Sequence, residues 1–270
     1  QVPKSIVTFS SAISACGDAW QLALHLLWAG PRNTVSYSAA ISSCEKAGNW
    51  SVMLLLLEDM LRETLRPNVV TLSACVACCE KGREWRRALD LLRRMERMQV
   101  SANGVSYNSA ISACERGSQL SMAMELMKEM EHRDIDKDVM TYGAAIFCCE
   151  QSGQWRRATQ LLEDMARLRI EKNVVTANAA ISTFGVARKW QLALYLLKEM
   201  QDTLIRASIV SFTAAVSAAA MAGSWMTSLA LLWEMTTLQA TTNCLALAAV
   251  LTACETARRS GEVVCLLAEM

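Results

Sequence analysis

The sequence predicts an all-α fold, an α-solenoid of 35-residue helix-turn-helix repeats, and three observations predict it. Stretches that open alike recur at a fixed 35-residue spacing, beginning at Val35, Val105, Met140 and Val175. Within each copy, apolar residues fall twice in the i, i+3, i+4, i+7 pattern of an amphipathic helix. Strand-like alternation of apolar and polar residues is absent. Such self-similarity marks an array in which each copy buries its apolar face only against its neighbours.

Placing position 1 two residues before the Thr or Ser of each Val-Thr-Tyr opening registers the copies as 34–68, 69–103, 104–138, 139–173, 174–208 and 209–243. A shortened repeat, 6–33, precedes them, and a final one, 244–270, stops at its position 27, so a single array over 1–270 is expected, with further repeats or a capping segment beyond it. The first helix of each repeat carries apolar residues at positions 4, 7, 8 and 11; position 8 runs Ile13, Ile41, Val76, Ile111, Ile146, Ile181, Val216 and Leu251. A short connection follows, such as Lys46-Ala-Gly-Asn or Gln151-Ser-Gly-Gln, where Gly153 is placed to close the first helix. The second helix opens on tryptophan at position 17 (Trp20, Trp50, Trp85, Trp155, Trp190 and Trp225), a column that reads as inter-helix packing. Leucine fills position 23 in every repeat, and methionine fills position 27 from Met60 to Met270.

Composition narrows the class. Apolar residues make up 53% of the chain, yet the longest uncharged apolar stretches, such as Val52 to Leu57, fall far short of the roughly 20 residues a membrane span needs. The chain therefore reads as not transmembrane. Six of the eleven cysteines (Cys16, Cys44, Cys79, Cys114, Cys149 and Cys254) share position 11 in the buried last turn of the first helix. Copies of that column lie about a helix spacing apart, roughly 10 Å, beyond disulfide reach. Cys75 and Cys78 make one isolated C-x-x-C with no second pair, so the cysteines read as small apolar packing rather than zinc ligands, and as free thiols of a reducing compartment.

No enzyme is predicted. A unique active site would interrupt the repeat, and the two histidines, His25 and His132, sit at unrelated positions. No phosphate-binding glycine loop, H-E-x-x-H or G-x-S-x-G is present. The recurrent carboxylates at positions 25 and 26 read as solvated helix faces paired with nearby Arg and Lys. No cofactor and no metal is expected.

Recognition is expected where a regular scaffold carries short, polar, varying side chains. Position 5 fits (Ser10, Ser38, Ser73, Asn108, Gly143, Asn178, Thr213, Ala248), and so does position 35 (Asn33, Asn68, Asn103, Asp138, Asn173, Ser208, Asn243). Position 2 is an aliphatic column: Val7, Val35, Val70, Val105, Met140, Val175, Val210 and Leu245. Position 35 precedes a new helix, so the same Asn and Asp residues also fit N-caps. A 35-residue hairpin with Val-Thr-Tyr-Asn at its start, Cys-Glu-Lys-x-Gly in its middle and Ala-Leu-x-Leu-Leu-x-Glu-Met near its end resembles the pentatricopeptide repeat over essentially the whole chain.

That resemblance implies a right-handed α-solenoid and single-stranded RNA binding with one base read per repeat. It implies that positions 5 and 35 touch the base edge, that position 2 sandwiches the base, and that a position-13 cation holds the phosphate. Carried over, Ser10/Asn33, Ser38/Asn68, Ser73/Asn103 and Thr213/Asn243 resemble adenine readers, Asn108/Asp138 a uracil reader and Asn178/Ser208 a cytosine reader. Gly143/Asn173 leaves its base unassigned. The implied target is 5′-A-A-A-U-N-C-A-3′, the sandwich residues are Val35, Val70, Val105, Met140, Val175 and Val210, and the phosphate residues are Lys46, Lys81 and Arg116. A mitochondrial or plastid setting is implied by the resemblance alone.

Charge pulls the other way. Lys and Arg total 27 against 26 acidic residues, a net of +1, where nucleic-acid binding usually draws on a basic footprint. Position 13 turns from Lys46, Lys81 and Arg116 to Gln151, Val186, Met221 and Thr256. The alternative is a scaffolding role, with the array contacting protein subunits of a large organellar assembly such as a ribosome or a respiratory or photosynthetic complex.

Overall fold

The computed structural model describes residues 6–203, 207–237 and 244–257. Among them are fifteen α-helices and no strand. The first compact unit, Gln1–Lys137, holds four hairpins: α1 (Ile6–Ala15) with α2 (Trp20–Ala29), α3 (Thr34–Ala47) with α4 (Trp50–Arg62), α5 (Val69–Lys81) with α6 (Trp85–Arg97), and α7 (Gly104–Arg116) with α8 (Leu120–His132). The second, Asp138–Met270, holds α9 (Val139–Ser152) with α10 (Trp155–Arg167), α11 (Val174–Val186) with α12 (Trp190–Asp202), α13 (Ile209–Met221) with α14 (Trp225–Thr237), and α15 (Cys244–Thr256).

Each unit is an α-solenoid segment built on one rule. First helices stack from repeat to repeat, α1 on α3 on α5 on α7 in one unit and α9 on α11 on α13 on α15 in the other. Every second helix packs on its own first helix, and α2, α4, α6, α10, α12 and α14 also pack on the first helix of the repeat that follows. The invariant columns fill the space between. Ile13 through Val216 at position 8 are buried, as are Met60, Met95, Met130, Met165, Met200 and Met235 at position 27. The position-11 thiols of Cys44, Cys79, Cys114, Cys149 and Cys254 are buried too, and Cys16 is half-buried. Burial pushes the Cys44 thiol up to about 11 and those of Cys79 and Cys114 to about 12, which makes them inert small apolar residues.

Local chemistry sets the helix ends. Asn33, Asn68, Asn103, Asp138, Asn173 and Ser208 each cap a first helix, accepting from the backbone N–H three residues on. The first helix closes on a left-handed residue at position 15: Gly48 and Gly153, as the sequence suggests for the latter, but also Arg83, Ser118 and Arg188 at φ between 55° and 59°. Side chains with a Cβ are strained there. Arg188→Gly is therefore expected to stabilise the protein by about 0.5–1 kcal/mol, read from its urea midpoint, despite the added freedom of the unfolded chain.

Gly82 and Gly117 stand one position earlier, for a different reason. A Cβ on Gly117 would sit 2.3 Å from Trp85 Cδ1, and one on Gly82 would sit 2.4 Å from Trp50 Cδ1. The tryptophans are thus packing residues that reach onto the next repeat, and Arg87 completes the contact by lying 3.7 Å from the Trp50 ring centroid. Gly117→Ala forces the indole off its seat and is expected to cost about 1–3 kcal/mol in thermal or urea unfolding.

One expectation needs correction. The position-26 carboxylates do more than solvate a helix face. Asp59 accepts from the buried Tyr37 hydroxyl at 2.6 Å and Glu129 from that of Tyr107 at 2.8 Å, tying the second helix to the first inside one repeat. Burial, and then the bond to Asp59, hold the Tyr37 phenol up at about 12. A buried tyrosine hydroxyl needs such a partner, and the carboxylate across the hairpin is the one in reach.

Candidate functional site

The N-terminal turns of the first helices carry the candidate site. Position 2 is an exposed residue in the first turn of each first helix, and it is apolar every time. Val7, Val35, Val70, Val105, Met140, Val175, Val210 and Leu245 are 57% to 71% exposed. An isolated exposed valine needs no explanation, but one per repeat at the same helical position is a regular apolar column in each unit.

Positions 5 and 35 lie beside it, joined by a residue to which the sequence reading gives no role. Position 3 is a buried hydroxyl in every described repeat from Ser36 through Thr71, Ser106, Thr141 and Thr176 to Ser211. In repeat 34–68, Ser38 Oγ lies 2.6 Å from Thr71 Oγ1 and 2.7 Å from the Thr34 carbonyl, its one proton serving either acceptor. Thr71 Oγ1 in turn donates to Asn68 Oδ1 at 2.9 Å, the oxygen that also caps α5 by accepting from Thr71 N. Repeat 69–103 copies the relay: Ser73 Oγ lies 2.7 Å from both Ser106 Oγ and the Val69 carbonyl, either of which its proton can serve, and Ser106 donates to Asn103 Oδ1 at 3.0 Å. Positions 5 and 35 of one repeat are thus locked to each other through position 3 of the next.

The lock fixes what position 35 offers. In Asn33, Asn68, Asn103 and Asn173 the amide oxygen is occupied by the cap, while the amide nitrogen gives no hydrogen bond among the described residues. Each therefore presents N–H donors alone. The oxygen meets the expectation of an N-cap, and the nitrogen at the other end of the side chain is left to donate elsewhere. Asp138 caps α9 in the same way, its Oδ1 accepting from Met140 N and Thr141 N.

The second unit keeps part of the pattern. Thr213 Oγ1 donates to the Ile209 carbonyl as the serines do, and Ser208 caps α13. Gly143 leaves a hollow in which a Cβ would come 3.4 Å from Thr176 Oγ1. Asn178 Oδ1 is buried with no hydrogen-bond partner, unlike its counterparts. Asn243 lies outside the described residues, so the Thr213/Asn243 pair is seen only at Thr213. Asn108 and Asp138 fall in different units and are described separately. Ser10 is buried and donates to the Val7 carbonyl at 3.1 Å.

The position-13 cations differ from one another. Lys46 forms no ion pair among the described residues and lines a 270 Å³ hollow with Val35 and Ser38, together with Ser14, Ala39, Ser42 and Ser43. One representative of each of three recognition columns thus meets in one place. Lys81 Nζ instead lies 3.1 Å from Glu45 Oε1, and Arg116 Nη2 lies 3.7 Å from Glu80 Oε1. Past α7 the cations stop: α11 and α13 contain no charged residue, and Val186 and Met221 at position 13 are exposed. No group of three or more His, Cys, Asp or Glu among the described residues is placed to hold a metal ion. Nor is any described helix long and apolar enough to cross a membrane.

Comparison with known proteins follows the same lines. The crystal structure of the pentatricopeptide repeat protein PPR10 from maize matches with a TM-score of 0.74 at 22% identity, over 97% of this chain and 38% of that one. This chain thus spans well under half of that protein. A structure of PPR10 in complex with an 18-nt psaJ RNA element matches with a TM-score of 0.55 at 12% identity, over 97% of this chain and 49% of that one. The PPR domain of Arabidopsis thaliana protein-only RNase P 1 in complex with tRNA matches at 0.57 and 16% identity, over 63% of this chain and 90% of that one. No curated protein sequence matches. The family model described as "Pentatricopeptide repeat domain" matches residues 55–117, 125–187 and 160–221, and the one described as "PPR repeat" matches 35–65 and 105–135. With its helical hairpins and its 35-residue register in agreement with those matches, the chain belongs to the pentatricopeptide-repeat family.

Proposed function

We propose that this protein binds single-stranded RNA, reads one base per repeat without catalysing a reaction, and acts in organellar RNA metabolism. One observation carries the reading: in repeats 34–68 and 69–103 an exposed aliphatic residue stands beside a polar pair whose orientation is fixed by a buried hydroxyl. The aliphatic residue covers a base face, as sequence-tolerant stacking does in other single-strand binders. The pair addresses the base edge. A donor-only asparagine at position 35 suits an acceptor on that edge, such as adenine N1, whereas a position-35 aspartate suits a base that donates, such as uracil through N3–H. This chemistry agrees with the target 5′-A-A-A-U-N-C-A-3′. The RNA complexes among the similar structures support the reading at the level of fold, being 16% identical or less.

A second reading is favoured by one observation, the uncharged α11 and α13 with exposed Val186 and Met221. These suit contact with protein subunits of a larger assembly. Fluorescence anisotropy with labelled A-A-A-U-N-C-A in a short unstructured RNA, against a scrambled control, separates the two. A preference of tenfold or more, about 1.4 kcal/mol, is expected for the matched RNA. Equal or absent binding to both would overturn base reading and leave the scaffold.

A further inference from the structure

The charges at positions 12 and 13 of the first unit form a ladder whose rungs join neighbouring repeats. Glu45 on α3 holds Lys81 on α5, and Glu80 on α5 holds Arg116 on α7. The rungs are also coupled to each other. Burial raises the Glu80 carboxyl above its usual range; Arg116 and Lys81 draw it back down, Glu45 pushes it up, and a hydrogen bond from Ser109 lowers it. Both glutamates are more enclosed than the cations they hold, at 26% and 20% exposed against 40% and 42%. The carboxylates are therefore the fixed members of each pair, and the cations are the members a ligand can reach.

We propose that Glu45 and Glu80 are built-in competitors of the RNA phosphates, so that of the three position-13 cations only Lys46 acts as a net positive charge toward RNA. The inference rests on the RNA-binding reading above and names a regulation of that same site. A partly exposed ion pair is weak, so a phosphate can take Lys81 or Arg116 from its carboxylate. The exchange swaps one anion for another and leaves an uncompensated glutamate behind. It then releases no net counterion from the RNA, because the cation was already neutralised. Affinity falls back on base contacts, which suits a chain whose net charge is only +1. Lys46 differs because no carboxylate of the described residues pairs with it, and it lines the hollow shared with Val35 and Ser38.

The test is the salt dependence of binding to the matched RNA. Each phosphate neutralised on a single strand contributes about −0.7 to the slope of log affinity against log salt. Glu45→Gln/Glu80→Gln keeps an acceptor for each cation while removing both charges. It is expected to steepen the slope by about 1.4, two phosphates' worth, and to tighten binding by about tenfold at low salt, from two carboxylates removed about 5 Å from the phosphates. Lys46→Gln is expected to flatten the wild-type slope by about 0.7. Circular dichroism melts of each variant verify that the fold is kept. An unchanged slope in a folded Glu45→Gln/Glu80→Gln protein that still prefers the matched RNA overturns the competitor role and leaves base reading standing. If neither wild type nor the double variant binds the RNA, both fall together.

Discussion

Thr71→Val is expected to lower stability by about 1–2 kcal/mol and, by the same stroke, to blunt the base preference of repeat 34–68. Thr71 is fully buried, so its hydroxyl has no water to turn to. It bonds Ser38 on one side and Asn68 on the other. Valine has nearly the same shape and the same β-branch, so packing is kept while both bonds are lost. Ser38 Oγ turns its proton to the Thr34 carbonyl, and Asn68 Oδ1 keeps the Thr71 N–H. No donor is stranded, which holds the cost to the lower range for a buried hydrogen bond. Urea unfolding with an unchanged m-value measures it. The functional half follows from geometry. With one bond instead of two on its oxygen, the Asn68 amide swings more freely, and its donors no longer meet the base edge in a fixed orientation. Discrimination at the base read by Ser38 and Asn68 should drop severalfold in anisotropy titrations, with the other positions unaffected. Undiminished discrimination in a folded Thr71→Val protein would show that the relay is structural only.

The relay illustrates what the sequence makes legible and what it does not. Register, helix pairing and the exposed position-2 column are readable because they repeat: a residue type that recurs every 35 positions announces a shared environment. Position 35 is also readable, although a short polar residue before a helix points equally to a cap and to recognition. Only the folded structure shows that Asn103 caps through its oxygen and leaves its nitrogen with no hydrogen bond among the described residues. Position 3 is hidden because its signal is a hydroxyl inside a Val-Thr-Tyr opening, which by sequence serves only to set the register. The partner of Ser106 is Ser73, 33 residues away. The charge ladder is hidden for the same physical reason. Glu45 and Lys46 are adjacent in sequence and look like one solvated pair, yet the partner Glu45 holds is Lys81, one repeat on. Contacts between repeats are invisible to any reading confined to one helix, whatever its period.

The glycines carry a related lesson. Gly48 and Gly82 both close a first helix, but Gly48 is left-handed at φ 67° and Gly82 leaves room for Trp50. One column of connection glycines thus conceals two requirements, backbone conformation at position 15 and space at position 14. Where position 14 is glycine, position 15 is Arg83 or Ser118, left to bear the strain.

Asn103→Asp is expected to move the base preference of repeat 69–103 from adenine to a base that donates, with a loss of tenfold or more for RNA carrying A at the third target position, about 1–3 kcal/mol. The fold has no reason to object. Aspartate caps a helix as well as asparagine and gains from the helix N-terminus, and Asp138 already does so in this chain, accepting from Thr141 N at 2.9 Å. The new carboxylate would keep one oxygen on Ser106, where Asn103 Oδ1 now accepts the N–H and the hydroxyl at 3.0 Å each. What changes is the outward atom, from an amide nitrogen that only donates to a carboxylate oxygen that only accepts. Adenine N1 then faces an acceptor with an acceptor, whereas uracil N3–H or guanine N1–H finds a partner. Ser73 is untouched and its bond to the Val69 carbonyl stays, so the position-5 contribution is held constant. Titrating four RNAs that differ only at that base reads the outcome directly. A preference that crosses from A to U or G makes position 35 the reader of the base edge. A uniform loss across all four bases would instead mean that the new carboxylate repels the backbone, and that position 35 caps its helix and reads nothing.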